Sequence, residues 1–202
     1  MLNRTKYLGG SDAAAIMGYS KYKTSQQVWE EKTGRRAPAN LDDNKFVQYG
    51  KAAEKPLIDL FVLNNPDLLV IQDKPWIQHP EYPFLGGNID SRLVNTDSQK
   101  GVLEIKTAQI FSPVQKLQWR NQIPPNYYCQ ILHYFLVGEF DFAIVSAYLI
   151  VGNGKDKWTE TRDYFCSRKD HEKDISGLLE EELKFWNCVI SGKRPGLKLP
   201  NI

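Results

Sequence analysis

Residues 86–108, GGNIDSRLVNTDSQKGVLEIKTA, constrain this chain more than any other stretch. Two segments of strand character, FLGGNIDSRLV and GVLEIKT, flank NTDSQKG, whose Asn, Asp, Ser and Gly are turn formers, so a β-hairpin is predicted. Side chains alternate along a strand, which places Glu104 and Lys106 on one face and Leu103, Ile105 and Thr107 on the other. The pairing would bring Asp90 beside Glu104. Two carboxylates held together repel unless a proton or a cation relieves them, and hard oxygen ligands suit Mg²⁺ or Mn²⁺. The carbonyl of Ile105 offers a further oxygen between the acid and the lysine. Lys106 would then stand beside the metal, able to orient or deprotonate a water or to offset charge on a phosphate. The same residues also suit an exposed hairpin with an ordinary Glu104–Lys106 surface pair.

Around this hairpin the chain alternates helical and strand grammar. Ser11 before DAAAIM and Gly18 after it predict a short helix with a serine N-cap and a glycine stop, and SQQVWEEKTG repeats the pattern from Ser25 to Gly34. RRAPANLDD is a loop. A third helix is expected through GKAAEKPLIDLFVLN, with Pro56 tolerable only in its first turn. LLVIQD and PWIQHP have strand character, FSPVQKLQWRNQIPPN reads as a loop, and YYCQILHYFLVG has helical length. DFAIVSAYLIVG is the most strand-like piece, KWTETRDYFCS alternates like its partner, and HEKDISGLLEEELKFWNCVISG reads as an amphipathic terminal helix. Helices flanking a central cluster of strands predict one mixed α/β domain over residues 1–202.

Composition narrows the function classes only a little. No apolar run approaches the roughly 18–20 residues of a membrane span, and MLNRTKYLGG lacks the apolar stretch of a signal peptide, so no membrane association is expected. Cys129, Cys166 and Cys188 are odd in number and far apart, which suits neither a disulfide framework nor a metal knuckle and favours an intracellular, reducing home. His79, His133 and His171 form no metal-ligand spacing. A net charge of +2 neither demands nor excludes a nucleic-acid partner, because a groove can be basic in a balanced chain.

Two further polar residues fall on apolar stripes. Glu54 shares a helical face with Leu57, Ile58 and Phe61, the stripe that should pack on the sheet, and a buried carboxylate wants a partner or a metal. Alternatively it lies in an exposed first turn and serves the helix dipole. Gln130 lies on one face with Tyr127 and Tyr134, where it could hydrogen-bond a water or a phosphate oxygen, or be a satisfied core amide.

These pieces in this order, G-x-x-x-E, then D, then E-x-K, then Q-x-x-x-Y, resemble the PD-(D/E)XK nuclease superfamily with its restriction-endonuclease-like core. GGSDAAAIMGYSKYKTSQQVWEEKTGR looks like the opening of the lambda-type phage exonucleases, the YqaJ-like viral recombinase family. YGKAAEKPLIDLF, GGNIDSRL, VLEIKT and PPNYYCQILHYFLVG are similar to that family's successive motifs, and the resemblance runs from about Arg4 to Tyr148. It implies that Asp90 and Glu104, with the Ile105 carbonyl, bind the metal ions, and that Glu54 assists directly or through water. Lys106 would position and activate the attacking water, Gln130 would hold that water or the scissile phosphate, and Tyr127 would support the DNA end. Arg4, seven residues before Ser11, would meet a terminal 5′ phosphate together with that serine. A helix N-terminus and an arginine both suit an anion; the alternatives are Ser11 as a plain N-cap, a role that the phosphate site would not remove, and Arg4 as a terminal charge. The metal aspartate departs from the family's usual S-x-P-D-G context, standing here in GNIDS.

The resemblance further implies a Mg²⁺-dependent (or Mn²⁺-dependent) exonuclease of two-metal type that degrades one strand of linear duplex DNA from its 5′ end. The 3′ overhang would pass to a single-strand annealing protein in phage recombination, in the cytoplasm of a bacterial host. Several members form a ring of three. Other PD-(D/E)XK endonucleases, a non-catalytic DNA-end binder and an inhibitor built on the nuclease scaffold are the alternatives. Iron–sulfur nucleases of this fold need four cysteines, and this chain has three.

Overall fold

The structure, a computed structural model, describes residues 4–198. After a 3₁₀ turn at Arg4–Lys6, the elements are α1 (Gly10–Met17), α2 (Ser25–Lys32), α3 (Lys45–Asn64), β1 (Leu69–Ile71), β2 (Trp76–Gln78), β3 (Gly86–Asn88), β4 (Ser91–Val94) and β5 (Lys100–Ile110). They continue with α4 (Pro113–Leu117), α5 (Pro125–Val137), β6 (Phe142–Val151), β7 (Trp158–Ser167) and α6 (Glu172–Ser191).

Five strands form a mixed sheet in the order β1-β4-β5-β6-β7, and β2 and β3 form a separate antiparallel ribbon. The hairpin is present: β4 and β5 pair antiparallel from Val94–Lys100 to Ser91–Leu103. Its turn is closed by Asn95, whose Oδ1 accepts the N–H groups of Asp97 and Gln99 at 3.1 and 2.9 Å. β5 and β6 pair in parallel over ten residues, which requires a crossover. That crossover is α4 and α5.

Both faces of the sheet are covered. On one side α3 lays Ile58 and Phe61 against Leu93, Leu103, Ile105 and Phe142. On the other, α1, α5 and α6 bury Ala13, Ala14, Ile131, Phe135, Ile175 and Leu178 against Val102, Ala143 and Val145. Sheets packed between helices bury their central strands on both faces, which is why β6 is apolar almost throughout. Among the described residues no helix is long and apolar enough to cross a membrane. The three cysteines are free thiols, with Cys129 and Cys166 buried.

Four local expectations are corrected. FLGGNIDSRLV is not one strand: it is split into β3 and β4, which belong to different sheets. Gly86 pairs so closely with β2 that a Cβ there would come within 2.6 Å of the Trp76 ring and 2.8 Å of the Ile77 carbonyl. The third helix starts at Lys45, capped by the Asn44 side chain, and Pro56 lies in its interior. Both Pro56 and Ala52, whose carbonyl loses its N–H partner, face solvent, so water can take that bond. Part of the segment expected to be loop before α5 is helical, with Ser112 as its cap. Finally, the N-caps are Gly9 and Thr24, not Ser11 and Ser25, which stand inside α1 and α2.

Candidate active site at the end of the hairpin

The ladder between β4 and β5 stops at Ser91–Leu103, one residue short of Asp90. Past that point Asp90 supplies what a strand would have supplied: its Oδ2 accepts the Ile105 N–H at 2.8 Å. The N–H and C=O of one strand residue face the same neighbour, so the Ile105 carbonyl faces the same edge as Asp90. The alternation predicted for β5 holds, with Glu104 and Lys106 on the α5 side and Leu103 and Ile105 under α3.

From α5, Gln130 completes the polar cluster. Its Nε2 donates to Glu104 Oε1 at 2.8 Å and to the Tyr134 hydroxyl at 2.6 Å, and its Oε1 accepts from Lys106 Nζ at 2.9 Å. Lys106 Nζ also reaches Glu104 Oε1 at 2.5 Å. The Tyr134 hydroxyl in turn donates to the Asn88 carbonyl at 3.1 Å, tying α5 to the segment that leads into Asp90. Tyr127 lies on the same helical face, its ring centroid 5.0 Å from the Lys106 ammonium and 5.3 Å from the Trp119 ring.

The electrostatics of this cluster are unbalanced. Burial, and then the neighbouring charge of Glu104, push Asp90 up to about 7, against the Ile105 N–H and Lys106, which favour its ionised form. Lys106 stays an ammonium: burial would lower its pKa, but Glu104 and its hydrogen bond outweigh that and raise it. Glu104 is 4% exposed, and among the described residues its second oxygen, Oε2, is buried without a hydrogen-bond partner. An orphaned carboxylate oxygen in the interior is costly, and a hard divalent cation is a ligand that suits it. Asp90, Glu104 and the Ile105 carbonyl therefore fit a divalent metal, although among the described residues no three His, Cys, Asp or Glu side chains already converge as a cage.

Glu54 is on the buried side of α3 as expected, three-quarters buried, and its charge is among those that raise Asp90. Its carboxylate is nevertheless taken by Lys74, a residue that the sequence did not mark. Lys74 sits in the short connection between β1 and β2 with φ of 43°, a left-handed backbone that non-glycine residues rarely adopt. Nothing in the local sequence pattern identifies it.

Arg4 and Ser11 come together at the N-terminus of α1. Arg4 Nη2 donates to Ser11 Oγ at 3.3 Å, and both residues are exposed. This corner abuts the cluster: a Cβ on Gly10 would lie 2.8 Å from Gln130 Cγ, so only glycine lets α1 approach α5 so closely. Beneath it lies a buried ion pair that sequence inspection missed. Asp12, 2% exposed, meets Lys32 at 2.7 Å and Lys23 at 3.0 Å. Burial would raise its pKa, but the two ammonium groups outweigh it and hold the carboxyl at about 2. Periodicity was the available signal, since Lys32 completes the buried stripe Ser25, Val28, Trp29. Trp119 is packed against Tyr127 and Tyr164, while Arg120 is exposed.

Comparison with known proteins identifies the fold and the family. The chain has the fold of an alkaline exonuclease from Laribacter hongkongensis, at a TM-score of 0.60 and 17% identity over 94% of each chain. It also has the fold of a phage-related exonuclease from Haemophilus somnus 129PT, at a TM-score of 0.62 and 15% identity, covering 92% of this chain and 96% of the other. By sequence it is 29% identical over 199 residues to the uncharacterized protein YqaJ of Bacillus subtilis (strain 168), covering 98% of this chain and 58% of that protein's length. The pattern of the YqaJ-like viral recombinase domain matches residues 2–141, and the chain belongs to that family.

Proposed function

We propose that this protein is a divalent-metal-dependent exonuclease that degrades one strand of linear double-stranded DNA from the 5′ end. The observation that carries the proposal is the buried, unpartnered Oε2 of Glu104 beside a carboxyl, Asp90, that is held far above its usual range. Asp90, Glu104 and the Ile105 carbonyl would hold the cation, with Glu54 contributing directly or through water once it leaves Lys74. Mg²⁺ is the expected metal and Mn²⁺ a substitute, in a two-metal arrangement. Bound there, a divalent cation acidifies water and offsets the charge of the phosphate under attack.

The chain's own residues then have separable tasks. Lys106 and Gln130 hold the attacking water and a phosphate oxygen in line, Lys106 as a charge and Gln130 as a neutral donor and acceptor. Tyr127 supports the DNA end beside Lys106. Arg4 and Ser11 receive a terminal 5′ phosphate, for which the arginine supplies a forked, always-charged donor. The resulting 3′ overhang would serve a single-strand annealing protein. The family resemblance also supports a single nuclease domain over residues 1–202, a ring of three chains around the DNA, and a phage- or prophage-encoded protein at work in the bacterial cytoplasm.

The test is digestion of linear duplex DNA labelled at either end, with Mg²⁺ or Mn²⁺, by the protein and by Lys106→Ala. Mononucleotide release from the 5′-labelled end, faster with a 5′ phosphate than with a 5′ hydroxyl and lost in the variant, is the expected result. Binding of duplex ends without digestion under either metal would instead identify a DNA-end binder.

A further inference from the structure

The hydrolytic cluster makes no use of the buried charges at the base of α1, and these have a different geometry. Lys32, the last residue of α2, is 4% exposed at its side chain. Its ammonium lies 2.7 Å from Asp12 Oδ2 and donates to the backbone carbonyl of Arg4 at 2.8 Å. Asp12 also accepts from the Gly9 N–H at 3.2 Å and from Lys23 at 3.0 Å, and Lys23 continues to Glu31 at 3.1 Å. One buried network thus ties the end of α2, the first turn of α1 that bears Ser11, and the backbone of the residue whose guanidinium meets Ser11.

Burying an ammonium is expensive even when it is paired, and an apolar side chain of similar volume is often no worse for stability. Lys32 stands beside Val28 and Trp29, where a leucine or methionine would pack well. What an apolar residue cannot do is hold the Arg4 carbonyl. Arg4 itself is exposed, and an exposed arginine gives up chain and rotamer freedom when it grips an anion. Fixing its backbone in advance reduces that cost. The network is also internally balanced, with Asp12 and Glu31 against Lys23 and Lys32, so the charge of Arg4 is left for a ligand.

We infer that Lys32 is a positioning residue for end specificity: its ammonium, neutralised by Asp12, holds the Arg4 backbone so that the guanidinium and the Ser11 hydroxyl are presented together to a terminal phosphate monoester. This rests on the 5′-phosphate role proposed above for Arg4 and Ser11. Lys32 touches neither the phosphate nor the reacting atoms. Its effect is on recognition of the end and not on hydrolysis.

The experiment compares kinetics of the full chain on duplexes of one sequence carrying a 5′ phosphate or a 5′ hydroxyl. The proteins are the wild type, Arg4→Ala, Lys32→Met, Lys32→Arg and the double variant Asp12→Asn/Lys32→Met, which removes both buried charges and so protects the fold if the single variant does not survive. The expected result is a KM for phosphorylated ends raised about tenfold in the Lys32→Met proteins, the factor that one charge-assisted hydrogen bond is worth. Their kcat and their rates on hydroxyl ends stay as in the wild type, and Lys32→Arg recovers part of the preference. If Arg4→Ala abolishes the preference while both Lys32→Met proteins keep it in full, the inference falls and the phosphate pocket stands. Equal losses on both kinds of end reduce Lys32 to a structural residue and overturn the inference. A wild type indifferent to the 5′ phosphate overturns the pocket and the inference together.

Discussion

Helix α5 carries two buried polar clusters about one turn apart, and they treat a carboxylate in opposite ways. On one face His133 and Glu182 are both fully buried, with His133 Nδ1 at 2.9 and 3.1 Å from the two Glu182 oxygens and His133 Nε2 at 3.3 Å from the Gly86 carbonyl. Both ring nitrogens face acceptors, which suits the imidazolium. Burial alone would lower the His133 pKa, but Glu182 outweighs it and raises it. Every polar atom there has a partner. On the other face Gln130 reaches Glu104, whose second oxygen has none, next to an Asp90 kept from ionising. A buried acid that is complete is architecture, and one that is left open is prepared for a ligand. The difference separates the two clusters without reference to any family.

Substitution should break that comparison most visibly. Lys106→Ala or Glu104→Gln is expected to lower DNA hydrolysis by on the order of a hundredfold to a thousandfold, and Glu104→Gln, which removes the open acid itself, to leave the metal-free melting temperature unchanged or raised. Glu182→Ala strands a buried imidazolium and is expected to cost about 3–5 kcal/mol of stability, with the hydrolysis rate of the folded fraction nearly intact. Urea denaturation alongside single-turnover digestion measures both. Equal stability losses on the two faces would erase the distinction.

Acidity gives a second, smaller contrast. Asp90 keeps its proton in the folded chain up to about 7 but loses it near 4 when unfolded. The folded state therefore binds the extra proton between those values, and metal-free stability falls as pH rises through that window, by at most about 4 kcal/mol. Asp90→Asn should flatten the slope. The same proton competes with the cation, so Mg²⁺ or Mn²⁺ affinity, read by calorimetry, is expected to weaken about tenfold per unit of pH below 7. At the satisfied cluster the raised His133 pKa stabilises the fold below its unfolded value near 6.5, and that stability is lost as pH climbs through the folded value. His133→Gln should remove only this second, more alkaline slope.

The smallest expected effect concerns Lys74. Its pair with Glu54 is half-exposed, and such pairs contribute less than about 1 kcal/mol. Lys74→Ala should leave stability unchanged while freeing Glu54, tightening metal binding by about threefold in calorimetry, a factor of ~0.6 kcal/mol. Unchanged or weaker binding would show that Glu54 takes no part in holding the cation.

Much of the site was legible because it rests on periodicity. Alternation in β5 places Glu104 and Lys106 on one face, helical spacing puts Gln130 and Tyr134 together, and the turn chemistry of NTDSQKG brings Asp90 up to Glu104. What escaped depends on contacts distant in sequence. Asp12 reads as an acidic first-turn residue, and only the packing of α2 on α1 reveals two lysines on it. Lys74 reaches Glu54 from a connection whose course no pattern dictates. Pro56 misplaced the start of α3 because tolerance of an interior proline turns on which side of the helix meets water, a property of the whole fold. The break after Asn88 was hidden for a similar reason, since the partner of β3 is β2 and not β5.

The parallel register of β5 with β6 also bears on the time at which this site comes into being. On its other edge the ladder partner of Gly101 is Phe142, forty-one residues on, so the acids and the lysine are written into the chain long before β6 can hold them. Closing a loop of that length is paid in entropy before the contacts that reward it are made. The ladder that seats β5 in the middle of the sheet forms only when the crossover helix has docked and β6 has been made. On the ribosome the hairpin emerges first and must wait as a partner-poor β-ribbon, so the competence of this chain is a late event in its own synthesis.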